Sequence, residues 1–314
     1  MKYSSILLDL NNLFWRSTVS VVKKITEEQD ENEFYSLTVQ DSLERIKQIR
    51  DTYGNNETIL YILHDNPFSK INEREMIDSS YKHARKNKNI PVVFYKSLEK
   101  LIEILKIYDN KSYVVSHNKC EADDLVLPIL NHIKGSALMI SADLDWARGM
   151  DEDKAIHWFN YGKLYKIDNF TEDYGFSPSG NGVKIYKALH GDKSDCIENA
   201  VPYLPKNVLN HIINNYNTIY ELLSNLWKDE VIPKQWKLKI QDAQVQLKIN
   251  YQLVDFMNID LSFDDIAYKC IEDVEQLRSW YQLLDIPLSN NLIDPKRDSH
   301  SFLQKKRIKR VITI

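Results

Sequence analysis

Four short apolar runs in the first half of the chain each lead into acidic residues, and this recurrence constrains the fold more than any other feature. Ser5-Ile6-Leu7-Leu8 runs into Asp9, and Thr58-Ile59-Leu60-Tyr61-Ile62-Leu63 runs into His64-Asp65. Tyr113-Val114-Val115 leads shortly to Glu121, and Ala137-Leu138-Met139-Ile140 to Asp143. Each run has the length and composition of a strand. Helix-like stretches lie between them, such as Leu37 to Arg50 and Leu98 to Ile107, so the alternation predicts βα units and a mostly parallel sheet. In open α/β sheets ligands bind in the crevice beyond the carboxyl ends of the strands, where all these acids would sit. A single Asp at such a place is equally well explained as a helix N-cap. Four strands ending the same way favour a shared site.

The second half carries longer helical patterns, Val183 to Leu189, Lys206 to Asn215 and Thr218 to Trp227, with little strand signal. The turn-rich stretch from Gly175 to Gly182 marks the expected boundary. The division expected is therefore an α/β domain over 1–182, a helical domain over 183–295, and a short basic tail over 296–314 that includes Lys305-Lys306-Arg307.

With 314 residues, 43% of them hydrophobic, the chain can bury a core as one large domain or two smaller ones. No run approaches the roughly 20 apolar residues that cross a bilayer. Three cysteines, Cys120, Cys196 and Cys270, lack metal-ligand spacing and leave an odd number, so a reducing cytoplasm is expected. The net charge of −4 argues against a protein that merely coats nucleic acid. It leaves room for an enzyme that gathers carboxylates around metal ions and keeps its cations in local patches.

Glu121-Ala122-Asp123-Asp124 is the densest acidic cluster, and its carboxylates would repel one another without a neutralising cation. Asp143 and Asp145 add two acids, Asp192 and Asp195 two more, and Asp9 and Asp65 bring the set to nine. Oxygen ligands without His or Cys suit a hard cation such as Mg²⁺, with Mn²⁺ able to substitute. Two ions about 4 Å apart activate water and stabilise the leaving oxygen in phosphoester hydrolysis, which explains a demand for so many acids.

These motifs, in order, resemble those of the flap endonuclease and 5′→3′ exonuclease family. The likeness runs over roughly residues 5 to 200. It comprises Leu8-Asp9 with Asn11, Phe14 and Arg16; Asp65 followed by Arg74 and Tyr81-Lys82-His83-Ala84-Arg85; Glu121-Ala122-Asp123-Asp124; Ser141-Ala142-Asp143-Leu144-Asp145; and Gly191-Asp192-Lys193-Ser194-Asp195. The family includes the 5′ nuclease domain of bacterial DNA polymerase I and the bacteriophage 5′ nucleases of RNase H type, which the chain most resembles in length. The resemblance implies a PIN-like, mostly parallel sheet followed by a helical domain with a variant helix–three-turn–helix motif. It implies that Asp9, Asp65, Glu121 and Asp123 serve one metal, that Asp143, Asp145, Asp192 and Asp195 serve a second, and that Asp124 helps both. Lys82 and Arg85 match the family's phosphate-contacting cations, with Arg74 upstream, and Tyr81 stands where it would stack on a base. Two residues three apart also share one face of a solvated helix, which is the plain alternative for Lys82 and Arg85.

The implied activity is removal of 5′ flaps, 5′ ends and RNA primers, including cutting of RNA–DNA hybrids, during DNA replication. Lys86, Lys88, Lys193 and Lys206 are candidate DNA contacts. The family's glycine-rich turn after the last acidic motif, which grips duplex phosphates and a K⁺ ion, reads here Cys196-Ile197-Glu198-Asn199-Ala200-Val201-Pro202-Tyr203-Leu204-Pro205, without glycine. That loss puts the grip and the ion in question. The tail is a candidate contact for a sliding clamp or a single-strand-binding protein, and a monomer suffices for the chemistry. Two other readings stay open on sequence alone: a PIN-like endoribonuclease, and a non-catalytic protein that binds DNA structures.

Overall fold

The computed structural model describes residues 1–22, 31–66, 73–83, 92–257 and 262–284. The basic tail over 296–314 lies outside them, as do Arg85, Lys86 and Lys88. Among the described residues seven strands form one sheet: β1 (Ser5–Asp9), β2 (Ile59–Leu63), β3 (Ser112–Val115), β4 (Ala137–Ile140), β5 (Ile156–Phe159), β6 (Leu164–Tyr165) and β7 (Ala267–Lys269). Their spatial order is β6-β5-β4-β1-β2-β3-β7. The inner pairs are parallel, whereas β6 and β7 close the two edges antiparallel. The four runs expected as strands are β1 to β4, and the sheet is mostly parallel as expected.

Helices α1 (Leu10–Val22), α2 (Glu31–Tyr53), α3 (Glu73–Ile77), α4 (Val92–Lys106) and α5 (Val126–His132) join the first four strands. After β6 come α6 (Ile167–Tyr174), α7 (Gly182–His190), α8 (Lys206–Asn215), α9 (Ile219–Asn225), α10 (Lys234–Asp242) and α11 (Gln244–Leu253). The short α12 (Phe263–Ile266) precedes β7, and α13 (Val274–Leu283) follows it. No helix among the described residues is long and apolar enough to cross a membrane.

Strand alternation explains why the central runs are apolar throughout. Ile6 and Leu8 of β1, Leu60 and Ile62 of β2, and Leu138 and Ile140 of β4 enter one core, under α1, α2, α4 and α13. Leu7, Tyr61, Leu63 and Met139 enter the other, shared with α5 and the helices from α7 to α11. A strand covered on both faces has no solvated side on which polar residues would be favoured.

The chain runs from β1 outward to β2 and β3, then returns to β4 on the opposite side of β1 and continues to β5. The order therefore reverses between β1 and β4, and their carboxyl ends open the crevice where such sheets hold ligands.

The connection from α7 to α8 has no glycine after Gly191 and places Cys196 (φ 60°) and Tyr203 (φ 63°) in the left-handed region. Only Gly191 (φ 77°) is indispensable there, because a Cβ would lie 2.5 Å from the Ile197 carbonyl oxygen. Ile197 and Asp192 exchange both backbone hydrogen bonds, and the buried Asn250 amide of α11 donates to the carbonyls of Ala188 and Glu198. This loop is thus fixed on the side that carries Asp192 and Asp195.

Candidate active site

Asp9 ends β1, where its carboxylate accepts hydrogen bonds from the Asn12 backbone N–H (2.9 Å) and the Ser141 hydroxyl (2.6 Å). The second bond ties β1 to β4 across the switch point. Asp65 follows β2; its backbone N–H donates to the Asn11 side chain, and its Oδ1 accepts from the Ala122 N–H at 2.8 Å. That contact seats the 3-10 turn Ala122–Leu125, which presents the second acidic motif. Asp123 accepts from the indole N–H of Trp146, a fully buried ring in the turn that carries Asp145. Asp143 caps that turn through the Asp145 N–H.

Three cations of the described residues stand among these acids. Lys82 donates to Glu121 Oε2 (2.7 Å) and lies 3.9 Å from Asp195, whose backbone carbonyl also accepts the Lys82 N–H. Lys82 has φ 54°, so it sits in a left-handed turn and not on a helix face. The helix-face alternative for Lys82 therefore falls, and Arg85 lies outside the described residues.

Arg74, expected near the substrate phosphate, is a buried clamp. Its guanidinium holds both oxygens of Asp124 (2.6 and 3.1 Å), reaches Glu121 (3.1 Å), and donates to the carbonyls of Leu253 and Asp255 beyond α11. Asp124 also accepts the backbone N–H groups of Glu121 and Met257, so its oxygens are committed to the protein. Asp124 is placed as a strut for the cluster and differs in this from the metal-assisting role expected. Tyr81 differs as well: its ring is buried, 2% exposed, and its hydroxyl donates to Glu121 at 3.1 Å, so it has no face open to a base.

The third cation, Lys187 of α7, was not among the residues singled out from sequence. Its ammonium lies 3.1 Å from Asp143, 2.7 Å from Asp145 and 2.8 Å from Asp192, with the residue 4% exposed. Two lysines, Lys184 and Lys187, three apart in an otherwise apolar helix that leads into an acidic motif, are the signal that would have found it. Of the other candidates, Lys193 is exposed, and Lys206 is exposed with its ammonium on the Asp173 carbonyl.

The electrostatics follow from burial. It pushes the Asp9 carboxyl up to about 7 against the Ser141 and Asn12 hydrogen bonds, and Asp65 and Asp143 push the same way. Burial lifts Asp145 to about 6 despite Lys187, and lifts Asp123 well above the carboxylate range, with help from Asp143 and Asp9. Burial would raise Glu121 and Asp192 too, but Lys82 and Arg74 hold Glu121 below its ordinary value, and Lys187 with Ser194 holds Asp192 at about 2.

One pocket is lined by Glu121, Asp123, Asp145, Lys187 and Asp195. Among the described residues no three acidic, His or Cys side chains are close enough as they stand to hold a metal ion; the lysines supply the neutralising charge. The donor set nonetheless suits a hard divalent cation: it is all oxygen, and Asp145 Oδ1 is buried with no hydrogen-bond partner.

No protein-family model and no curated protein matches the chain. Solved structures do. A T5 protein co-crystallised with metal ions superposes with a TM-score of 0.60 at 18% identity, covering 80% of this chain and 89% of that one. A bacteriophage T5 flap endonuclease in a pseudo-enzyme–product complex with DNA and metal ions gives the same values. T5 5′-exonuclease with bound zinc gives 0.58 at 19% identity, over 80% and 89% of the two chains. The chain therefore shares their fold, a mixed central sheet flanked by helices and followed by a helical region.

Proposed function

We propose that this chain is a divalent-metal-dependent, structure-specific 5′ nuclease that hydrolyses phosphodiester bonds of DNA at 5′ flaps and free 5′ ends, and of RNA primers paired to DNA. One observation carries the reading. The carboxyl ends of β1, β2 and β4, the turn after β3 and the Gly191–Asp195 loop bring nine carboxylates and Lys82 to the switch point of the sheet, in a fold shared with a T5 flap endonuclease.

Asp9, Asp65, Glu121 and Asp123 would hold one cation, and Asp143, Asp145, Asp192 and Asp195 a second, Mg²⁺ by preference and Mn²⁺ in substitution. Such a pair supplies an activated water and stabilises the leaving oxygen of an in-line displacement. Lys82, fixed by its left-handed turn beside Asp195, is the cation for the scissile phosphate. It exchanges Glu121 for phosphate oxygens, whose charge grows in the transition state. Tyr81 and Arg74 keep Glu121 oriented while Lys82 does so, and Arg85 is proposed to act with Lys82. Ser141 and Asn12 hold Asp9 in one orientation, which lowers the reorganisation needed when a cation binds. Lys193, Lys206, Lys86 and Lys88 are proposed as backbone contacts to DNA, and the tail as a contact for a replication partner.

The test is cleavage of a 5′-labelled DNA flap, an RNA–DNA hybrid and an RNA hairpin, with Mg²⁺ or with EDTA, by the native protein and by Asp143→Asn. Junction cutting that needs both metal and Asp143 is expected. Tight flap binding without cutting would replace the proposal with a DNA-structure-binding protein, and preference for the hairpin would replace it with an endoribonuclease.

A further inference from the structure

We infer that Lys187 is a built-in counter-cation for Asp143, Asp145 and Asp192, so that this carboxylate group takes up a divalent cation only by exchanging it for the ammonium. The inference rests on the metal-dependent reading above and deepens it, because it makes the two halves of the site unequal.

The inequality is visible in what neutralises each half. On the β1 and β2 side, among the described residues, Lys82 and Arg74 pair with Glu121 alone of that side's acids, and Asp9, Asp65 and Asp123 are held by neutral donors: the Ser141 hydroxyl, the backbone N–H groups of Asn12 and Ala122, and the Trp146 indole. Such donors orient a carboxylate and leave its charge uncancelled. On the β4 side a full positive charge stands within 3.1 Å of three carboxylates at once. A group already paired with a cation gains less from a second one, since the incoming ion must shed part of its hydration shell and also displace a cation that already neutralises the carboxylates.

Lys187 is not a surface side chain that happens to point inward. Its neighbours Ile185, Ala188 and Leu189 are all buried, and the Ala188 carbonyl is bonded by the buried Asn250 of α11. The helix thus holds the Cα of Lys187 at a fixed distance from the acids, and the only freedom left is in the side chain. Exchange therefore requires the ammonium to swing off the carboxylates on its side chain while the helix stays in place. Asp145 Oδ1, buried and unpartnered, remains after Lys187 has taken the other oxygen of the same carboxylate, and is the point at which an incoming cation would first bind. A stepwise order follows: the Asp9, Asp65, Glu121 and Asp123 side fills at lower cation concentration, and the Asp143, Asp145 and Asp192 side fills at higher concentration, with displacement of Lys187.

The experiment is a calorimetric titration of the full chain, without DNA, with Mn²⁺, and a parallel thermal melt with and without the ion, on the native protein and on Lys187→Met. The native protein should bind one ion well and a second weakly. Lys187→Met should tighten the weaker site by roughly tenfold or more, as expected when one contact-distance charge is removed from a part-buried site. The same variant should be stabilised more by Mn²⁺ than the native protein is. If removing Lys187 prevents folding without metal, Lys187→Gln, which keeps a donor for the carboxylates, takes its place in the titration. Two equally tight native sites, or a weaker site unchanged in the variants, would overturn the inference. Asp123→Asn separates this failure from that of the nuclease reading. Loss of the tight site in that variant with no effect of Lys187 would sink only the exchange, whereas a native protein that binds no Mn²⁺ would sink both.

Discussion

Replacing Arg74 by Met should unfold the protein at markedly lower temperature before it reveals anything about catalysis. The side chains of Arg74 and Asp124 are 6% and 0% exposed, and they form a two-point ion pair whose remaining donors are used by Glu121, Leu253 and Asp255. Met keeps the apolar stem and removes the charge, which leaves Asp124 buried with only backbone N–H partners. Breaking one side of a buried pair costs about 3–5 kcal/mol. At about 2 °C per kcal/mol, the lower end for large domains, the melting temperature should fall by about 6–10 °C. The assay is a thermal melt in EDTA, so that bound metal does not offset the loss, alongside Asp124→Asn and the double variant. If the two groups are one strut, the double variant should lose much less than the sum of the single losses. A melting temperature within about 2 °C of native, combined with a large loss of flap cleavage, would refute the strut and return Arg74 to the substrate phosphate.

Lys82→Ala should lower cleavage by about 10²- to 10³-fold while flap affinity changes little, as measured by single-turnover kinetics and fluorescence anisotropy; equal losses in both would count against a transition-state contact. In metal-free protein the raised carboxyls of Asp9, near 7, and Asp145, near 6, bind protons that the unfolded chain has lost above its ordinary value. Their contribution to stability is therefore full at low pH and is lost as pH rises through 6 to 7, while His64 and His157, held down by burial, pull the other way. Mg²⁺ should then raise the melting temperature more at pH 8 than at pH 5, and an equal effect at both would show that these acids do not take up the ion. Gly191→Ala should cost more than about 1 kcal/mol, because its φ of 77° and the 2.5 Å approach to the Ile197 carbonyl exclude a Cβ without rearrangement. A denaturation midpoint unchanged from native would show that the loop carrying Asp192 has slack.

What the sequence made legible was set by local rules. Strand-length apolar runs bounded by acids can be read residue by residue, and β1 to β4 appear where those runs stand, with Asp9, Asp65 and Asp143 at or just beyond their ends. The edge strands β6 and β7 are two and three residues long, too short for a period-two pattern to be read. Lys187 was missed for a different reason. A lysine in a helical pattern is ordinarily assigned to solvent, and only the three-dimensional convergence of Asp143, Asp145 and Asp192 makes burial of an ammonium favourable. The order of the motif points Arg74 and Tyr81 toward the substrate; it says that they belong beside the acids and leaves open which side of the acids they occupy.

That side matters for how the helical region and the site communicate. The segment after α11 is held by cations from three places: Arg74 on the carbonyls of Leu253 and Asp255, Arg148 on the Val254 carbonyl and the Asp255 carboxylate, and Lys184 on the same carboxylate. The last carbonyls of a helix lack intrahelical partners, so cations are favoured there on hydrogen bonding and on the helix dipole alike. Two residues further, the Met257 N–H donates to Asp124, which Arg74 already grips. Arg74 thus touches α11's end, Asp124 and Glu121 with one planar group, and Glu121 is the carboxylate that Lys82 would release to reach phosphate in the proposed mechanism. The end of α11 is thereby tied to Glu121 twice, directly through Arg74 and through the Asp124 carboxylate that accepts both the Met257 and the Glu121 N–H groups.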